Sequence, residues 1–315
     1  SWVTADAGHP GDIRLYPIDV GSVTLAVWSE ERWQFMTTIV VPLDGSPFSE
    51  RALRPAVSIA ARLPAARVLL LTCSPDDIDT AQRLLDDRAG LYSDVVDVET
   101  RLVGSGDPAE VILATVATEP DATLCMATHG HGGLRSAVLG SVAKQVVCGS
   151  SRPLVLVGPH CRTALLPAER GRMLVCSDGS DFSDAIAPVA GGWCDRLGLE
   201  PWLTEVTGPD EDPEPAHRLV PNREVEAAQE RLDDLSARLV TATASARTRV
   251  LHGSPGTSIA WFAERLPAAL VAMATHGRSG LTRLTMGSVA NEVIRHAPCP
   301  VLITRPTDDR ACADV

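Results

Sequence analysis

The chain has 315 residues, 28 of them basic and 40 acidic, for a net charge of −12. That length exceeds one small core and fits two domains of ordinary size, and the acidic balance excludes a protein that grips a nucleic-acid backbone over a broad surface. Hydrophobic residues make up 45% and aromatic ones only 4%, so the cores must be built from Ala, Val, Leu and Ile.

In chain order, residues 1–35 come first. They lack a basic stretch followed by an apolar core and do not read as a signal peptide. They match nothing elsewhere in the chain. Two readings stay open: an ordered arm over the first domain, or a leader ahead of an internal start at Met36. From residue 37 onward, short apolar runs alternate with longer helical patterns. The runs 37–43, 67–73, 95–103, 122–127 and 153–157 are rich in Val, Ile and Leu without strict alternation, as expected of strands buried on both faces. Between them, 48–63, 77–91, 108–118 and 140–149 carry helical spacing, with Ser49 and Pro108 at positions that suit helix starts. Such alternation predicts right-handed crossovers and a parallel sheet with helices on both faces. Residues 159–170 form a linker. Strand patterns then recur at 172–177, 200–206, 247–252, 268–274 and 300–304. The proline-rich acidic stretch 208–226 reads as a surface loop leading into a helix. No run of 18 apolar residues occurs, so no membrane insertion is expected.

The second half repeats the first. The stretch MATHGHGGLRSAVLGSVA (126–143) returns as MATHGRSGLTRLTMGSVA (273–290), with 11 of 18 positions identical. TTIVVPLDGSPFSERAL (37–53) matches RMLVCSDGSDFSDAIAP (172–188), and VGSGDPAEVI (103–112) matches LHGSPGTSIA (251–260). The spacing between matches grows along the chain, so 208–226 is an insertion in the second half. The domains are expected at 36–158 and 171–306, followed by a tail at 307–315.

In an open parallel sheet, ligands bind past the C-terminal ends of the strands, where strand order reverses. The repeated residues fall there. Asp44 and Asp178 follow the first strand of each half. Gly130 and Gly277 follow the fourth, with Gly133 and Gly280 completing the glycines of the loop. Gly140-Ser141 and Gly287-Ser288 open the next helix. Glycines let backbone approach an anion and adopt positive φ, and N–H groups at a helix start meet an anion with the help of the helix dipole. Ser141 and Ser288 can add a hydroxyl, and the N–H groups of Val142 and Val289 follow. A carboxylate one strand away suits ribose or adenine. The set fits a phosphate-bearing small molecule. A structural reading stands beside it: glycine for a tight turn, serine as a helix cap.

The D-G-S after the first strand and the G-x9-G-[ST]-V run after the fourth, present twice, resemble the universal stress protein family over roughly 36–158 and 171–306. The resemblance implies two doubly wound five-stranded parallel sheets in tandem, strand order 3-2-1-4-5, like the adenine nucleotide alpha hydrolases. It also implies edge-to-edge pairing of the two through their final strands, 153–157 and 298–304. The family's nucleotide motif is G-x2-G-x9-G-[ST], and many members bind ATP. Carried over residue by residue, Gly130, Gly140, Ser141 and Val142 form the phosphate part in the first half, and Gly277, Gly287, Ser288 and Val289 in the second. Asp44 and Asp178 take the nucleoside side. Pro42 lies two residues before Asp44, where the second half has Cys176. Cys73 and Val206, at the end of the second strand, line the adenine pocket. Ala127 and Ala274 stand where the motif has its first glycine.

The resemblance implies a cytoplasmic stress-response regulator that binds ATP or a related adenine nucleotide; a single carboxylate in each half, Asp44 or Asp178, could hold Mg²⁺ only through water, a weak warrant for a metal. The resemblance further implies a homodimer and a protein partner, and no nucleic acid. The alternatives are an interaction module with a vestigial pocket, or, third, a slow ATP hydrolase. His129 and His276 read as loop residues shaping the pocket wall, and Arg278 can touch phosphate. The only lysine, Lys144, does not follow a G-x4-G loop, and neither G-x-S-x-G nor H-E-x-x-H occurs. The eight cysteines form no C-x-x-C pair and read as buried reduced thiols.

Overall fold

The computed structural model of the chain describes residues 37–73, 77–119, 121–129, 139–162, 166, 170–208, 222–239, 245–275 and 286–304. All lie in one compact unit, Met36–Thr307. The expected arm at 1–35 and tail at 307–315 lie outside the described residues, as does most of the 208–226 insertion.

The first half runs β1 (Thr38–Pro42), a 3-10 turn (Ser49–Ala52), α1 (Leu53–Ala60), β2 (Arg67–Cys73), α2 (Ile78–Gly90), β3 (Asp97–Val103), α3 (Pro108–Thr118), β4 (Thr123–Ala127), α4 (Ser141–Gly149) and β5 (Leu154–Val157). The second half repeats it: β6 (Gly171–Ser177), α5 (Asp181–Asp184), α6 (Ile186–Leu197), β7 (Leu199–Thr207), α7 (Asn222–Arg238), β8 (Arg247–His252), α8 (Pro255–Arg265), β9 (Leu270–Ala274), α9 (Ser288–His296) and β10 (Val301–Thr304). The helix expected over 48–63 is broken after its first turn. Pro55 has no N–H to give the Arg51 carbonyl, so the turn before it tightens to 3-10 geometry. Pro188 stands in the same relation to Asp184, and α5 and α6 are separated there. At α3, Asp107 accepts from the Ala109 and Glu110 N–H groups while Pro108 occupies the first turn, where its missing donor costs nothing.

The strands form a single ten-stranded sheet in the order β3-β2-β1-β4-β5-β10-β9-β6-β7-β8. Each half has the expected 3-2-1-4-5 order with parallel pairing. The two expected sheets merge because β5 and β10 pair antiparallel, Val155 opposite Leu302. Every residue of both joint strands is buried. The outer edges behave differently. β3 and β8 are mostly half-exposed and carry Asp97, Glu99, Arg101, Arg247 and Arg249, the charged character that discourages further strand addition.

Two cores cover the two faces, and each runs through both halves. One joins Ile39 and Val41 of β1 with Ile59 of α1, Leu85 of α2, Trp193 of α6 and Leu235 of α7. The other joins Val40 of β1 with Ile112 of α3, Val146 of α4, Ile259 of α8 and Val293 of α9. Consecutive β1 residues thus alternate between faces, as the pleat requires. No described helix is long and apolar enough to cross a membrane.

The joint is tightened just past β5. Gly158 is buried, and a methyl group there would overlap the Ile294 carbonyl at the end of α9. Gly90, at the end of α2, faces open space. Gly158→Ala should therefore lower stability by about 2 kcal/mol or more, since backbone must move. Gly90→Ala should be neutral or stabilising by up to about 1 kcal/mol through the unfolded chain. Thermal unfolding of the two variants beside the parent checks both signs.

Candidate functional site

β1 lies between β2 and β4, and β6 between β7 and β9. The connection after β1 turns one way and β4 arrives from the other, so the C-terminal ends of β1/β4 and β6/β9 are the switch points of the two halves. Among the described residues, Asp44 follows β1 and Ala127 closes β4 in the first half, and Asp178 follows β6 and Ala274 closes β9 in the second.

After β1, the Asp44 side chain folds back on its own loop. Its Oδ1 accepts from the Ser46 N–H at 2.9 Å, and Gly45 takes φ +79° to allow it. The Asp44 N–H donates to Ser49 Oγ at 3.3 Å, whose hydroxyl donates to the Ser46 carbonyl at 2.9 Å. The second half reproduces this. Asp178 Oδ1 accepts from the Ser180 N–H at 3.0 Å and from the Ser180 hydroxyl at 2.6 Å, and Gly179 has φ +74°. The Asp178 N–H donates to Ser183 Oγ at 3.0 Å. The D-G-S motif is thus an aspartate-closed turn with glycine at the left-handed position. Ser49 and Ser183, three residues past the motif's serine, lock it. Their signal in the sequence is the repeated serine of D-G-S-x-F-S.

The second component begins at the ends of β4 and β9. The Thr128 N–H donates to Val157 O at 3.1 Å, and Thr128 O accepts the Gly140 N–H at 2.9 Å. In the second half, the Thr275 N–H donates to Thr304 O at 3.0 Å, and Thr275 O accepts the Gly287 N–H at 2.9 Å. Both threonines are buried. They bind the helix start to the end of the last strand, and the reading of the sequence did not single them out. Their signal was the repeated M-A-T-H.

Gly140 and Gly287 do not need glycine for positive φ, since φ is −55° and −59°. The reason at Gly140 is close approach: a methyl there would sit 3.2 Å from the Thr128 carbonyl oxygen. The approach is to the chain's own backbone. In α4 the first intrahelical bond runs from the Lys144 N–H to Gly140 O at 2.9 Å, and in α9 from the Asn291 N–H to Gly287 O at 3.0 Å. The N–H groups of Ser141, Val142, Ser288 and Val289 therefore have no acceptor within their helices. Neither first turn carries an acidic residue. The positive end of each helix dipole is left uncompensated from within the turn, and Ser141 and Ser288 are exposed beside it.

Ala127 and Ala274 close β4 and β9 and pair with Val157 and Thr304. Both are buried, and neither has positive φ. Alanine is unstrained in such extended backbone. Pro42 ends β1 opposite Leu71, and Cys176 lies opposite Thr204. Cys73 ends β2, its thiol 3.5 Å from the Gly106 carbonyl and raised above its ordinary pKa by burial and by the charge of Asp107. Val206 is half-buried near the end of β7. His129 Nδ1 lies 3.0 Å from Thr128 Oγ1. Gly130, Gly133, Gly277, Gly280, His276 and Arg278 lie outside the described residues. Among the described residues, no three His, Cys, Asp or Glu side chains gather as a metal site. Among the described residues, burial raises the thiol pKa of Cys125, Cys161, Cys176, Cys194 and Cys299.

Comparisons with known proteins identify the family. A model of the universal stress protein family matches residues 36–158 and 169–305. The universal stress protein MJ0531 of Methanocaldococcus jannaschii is 47% identical over 58 residues, 18% of this chain and 34% of that protein. The universal stress protein Rv2005c of Mycobacterium tuberculosis (strain H37Rv) is 29% identical over 192 residues, 57% of this chain and 60% of that one. The matches thus span between a third and three fifths of these relatives' length. A solved universal stress protein of Archaeoglobus fulgidus superposes with a TM-score of 0.58 at 20% identity, over 86% of this chain and 97% of that one. A functionally unknown protein of Pseudomonas aeruginosa PAO1 gives 0.61 at 15%, over 89% and 96%. These two structural likenesses establish the fold.

The turn geometry yields a prediction. Asp178→Asn keeps an oxygen where Oδ1 accepts, so unfolding free energy should stay within about 0.5 kcal/mol of the parent. Asp178→Ala removes the acceptor for the Ser180 N–H and hydroxyl and should cost about 1–2 kcal/mol. Denaturant titration of the two variants measures the difference.

Proposed function

Since the chain belongs to the universal stress protein family, we propose that it binds ATP or a related adenine nucleotide in one or both halves and acts as a stress-response regulator rather than primarily as a catalyst. The observation that carries this reading is the recurrence, in both halves, of one constellation at the switch point. A helix start with N–H groups lacking intrahelical acceptors is bound to the end of the fourth strand, and an aspartate turn lies at the end of the first.

In this reading, Gly140, Ser141 and Val142, and Gly287, Ser288 and Val289, receive phosphate through backbone N–H groups and the serine hydroxyls. Asp44 and Asp178 contact the nucleoside and can hold Mg²⁺ through water. Pro42 and Cys73, with Cys176 and Val206 in the second half, border the base. Gly130, Gly133, Gly277 and Gly280 complete the phosphate loop. Occupancy would be read by a protein partner in the cytoplasm, and the regulator would act as a homodimer.

The second reading is a vestigial pocket in an interaction module, and Ala127 and Ala274 favour it. Their extended backbone weakens that objection, because alanine is unstrained there. Titration calorimetry and thermal unfolding with ATP separate the two. The binding reading expects saturable heat and a raised midpoint, worth about 2.7 kcal/mol at a hundredfold excess over Kd. The doubly substituted Asp44→Asn, Asp178→Asn chain should bind about tenfold more weakly, a difference of about 1.4 kcal/mol. No heat and an unmoved midpoint at millimolar ATP would favour the interaction module.

A further inference from the structure

The described residues form an open cleft of about 320 Å³ on the first half, and none of the residues assigned above to the nucleotide lines it. Its walls come from the 3-10 turn, the start of α1, the end of α2 and the chain just past β5. Three arginines, Arg51, Arg54 and Arg88, reach it, against one carboxylate, Glu50. Tyr92 adds a phenol, and Leu53 and Val157 give it an apolar side. In a chain of net charge −12, this is a local concentration of positive charge.

The fold accounts for only part of it. Arg88 pairs with Glu50 at 2.7 Å, tying α2 to the 3-10 turn. The second half makes the same tie, Arg238 to Asp184 at 2.6 Å, so this pair is part of the repeated architecture. Yet Arg88 Nε is buried with no hydrogen-bond partner among the described residues, which is costly for a charged donor. Arg51 donates to the carbonyls of Pro159 at 2.9 Å and Cys161 at 2.7 Å, using two of the five N–H groups of a guanidinium. Arg54 is exposed and makes no hydrogen bond or ion pair among the described residues. By the spacing that relates Asp44 to Asp178, Arg51 and Arg54 correspond to Ala185 and Pro188. The repeated fold therefore does not require either guanidinium.

Guanidinium groups at a concave surface recognise oxyanions by paired hydrogen bonds and hold them better than an ammonium does. A volume near the lower end of small-molecule pockets, with one apolar side, suits a compact ligand. The geometry points to a second ligand site on the α1–α2 face of the first half, one that takes a small organic oxyanion, a carboxylate or a phosphate ester, with an apolar body. The site stands independently of whether the switch points bind ATP.

The test is calorimetry on the full-length chain with phenyl phosphate, benzoate and, as the neutral control, benzyl alcohol. Phenyl phosphate or benzoate should bind and benzyl alcohol should not; the stronger of the two anions identifies the headgroup. Arg54→Gln should weaken that anion at least fivefold while leaving the unliganded unfolding midpoint unchanged. The Asp44→Asn, Asp178→Asn chain should bind it as the parent does, and ATP should not displace it. Absence of binding by both anions, equal binding of benzyl alcohol, indifference to Arg54→Gln, or displacement by ATP would each overturn the assignment.

Discussion

The antiparallel pairing of β5 with β10 is the contact on which the rest of the architecture depends. A 3-2-1-4-5 sheet leaves its fifth strand at an edge, and here that strand is Leu154–Val157, apolar at every position. An exposed edge of that kind would recruit other chains. β10, Val301–Thr304, has the same problem, and the two cover each other. The pairing makes both hydrophobic cores continuous across the halves. It also brings the linker after β5 against the end of α9, where only glycine fits at position 158.

With the fifth strand fixed, the switch point next to it is fixed as well. Thr128 is held by Val157 O and itself holds Gly140; Thr275 does the same between Thr304 and Gly287. The helix starts are anchored to the strands that form the joint. The aspartate turns are built separately, from local hydrogen bonds within six residues. A ligand spanning both would connect an element held by the joint with one held by its own loop.

Much of this was legible before any coordinates. Buried parallel strands read as continuous runs such as TIVVP and RVLLLTC, and the internal repeat supplied a second copy of each for comparison. The glycine-serine helix starts and the D-G-S turns were found the same way. What could not be read was the reason for some of these residues. Gly140 was expected to serve close approach to an anion or positive φ; its φ is negative, and the close approach is to Thr128 O, a contact set by where β4 ends in space. That Ala127 stands where the motif has glycine was plain in the sequence; that its backbone is extended, so that alanine is unstrained, was not. Thr128 and Thr275, marked only by the repeated M-A-T-H, escaped notice because the backbone groups they bond, on Val157 and Gly140 and on Thr304 and Gly287, are distant in the sequence. The broken helix after β1 was recoverable in principle, from the i−4 carbonyls that Pro55 and Pro188 leave unpaired. The basic cleft was not, because Arg51, Arg54 and Arg88 meet only in the folded chain.

The central claim, that the repeated switch points hold an adenine nucleotide, is tested most directly by native mass spectrometry of the full-length chain, purified without added nucleotide and then supplied with ATP. The account predicts one or two adenine nucleotides per chain, released on denaturation and reduced in occupancy when Asp44 and Asp178 are both changed to asparagine. A chain that keeps its bare mass at millimolar ATP would contradict it.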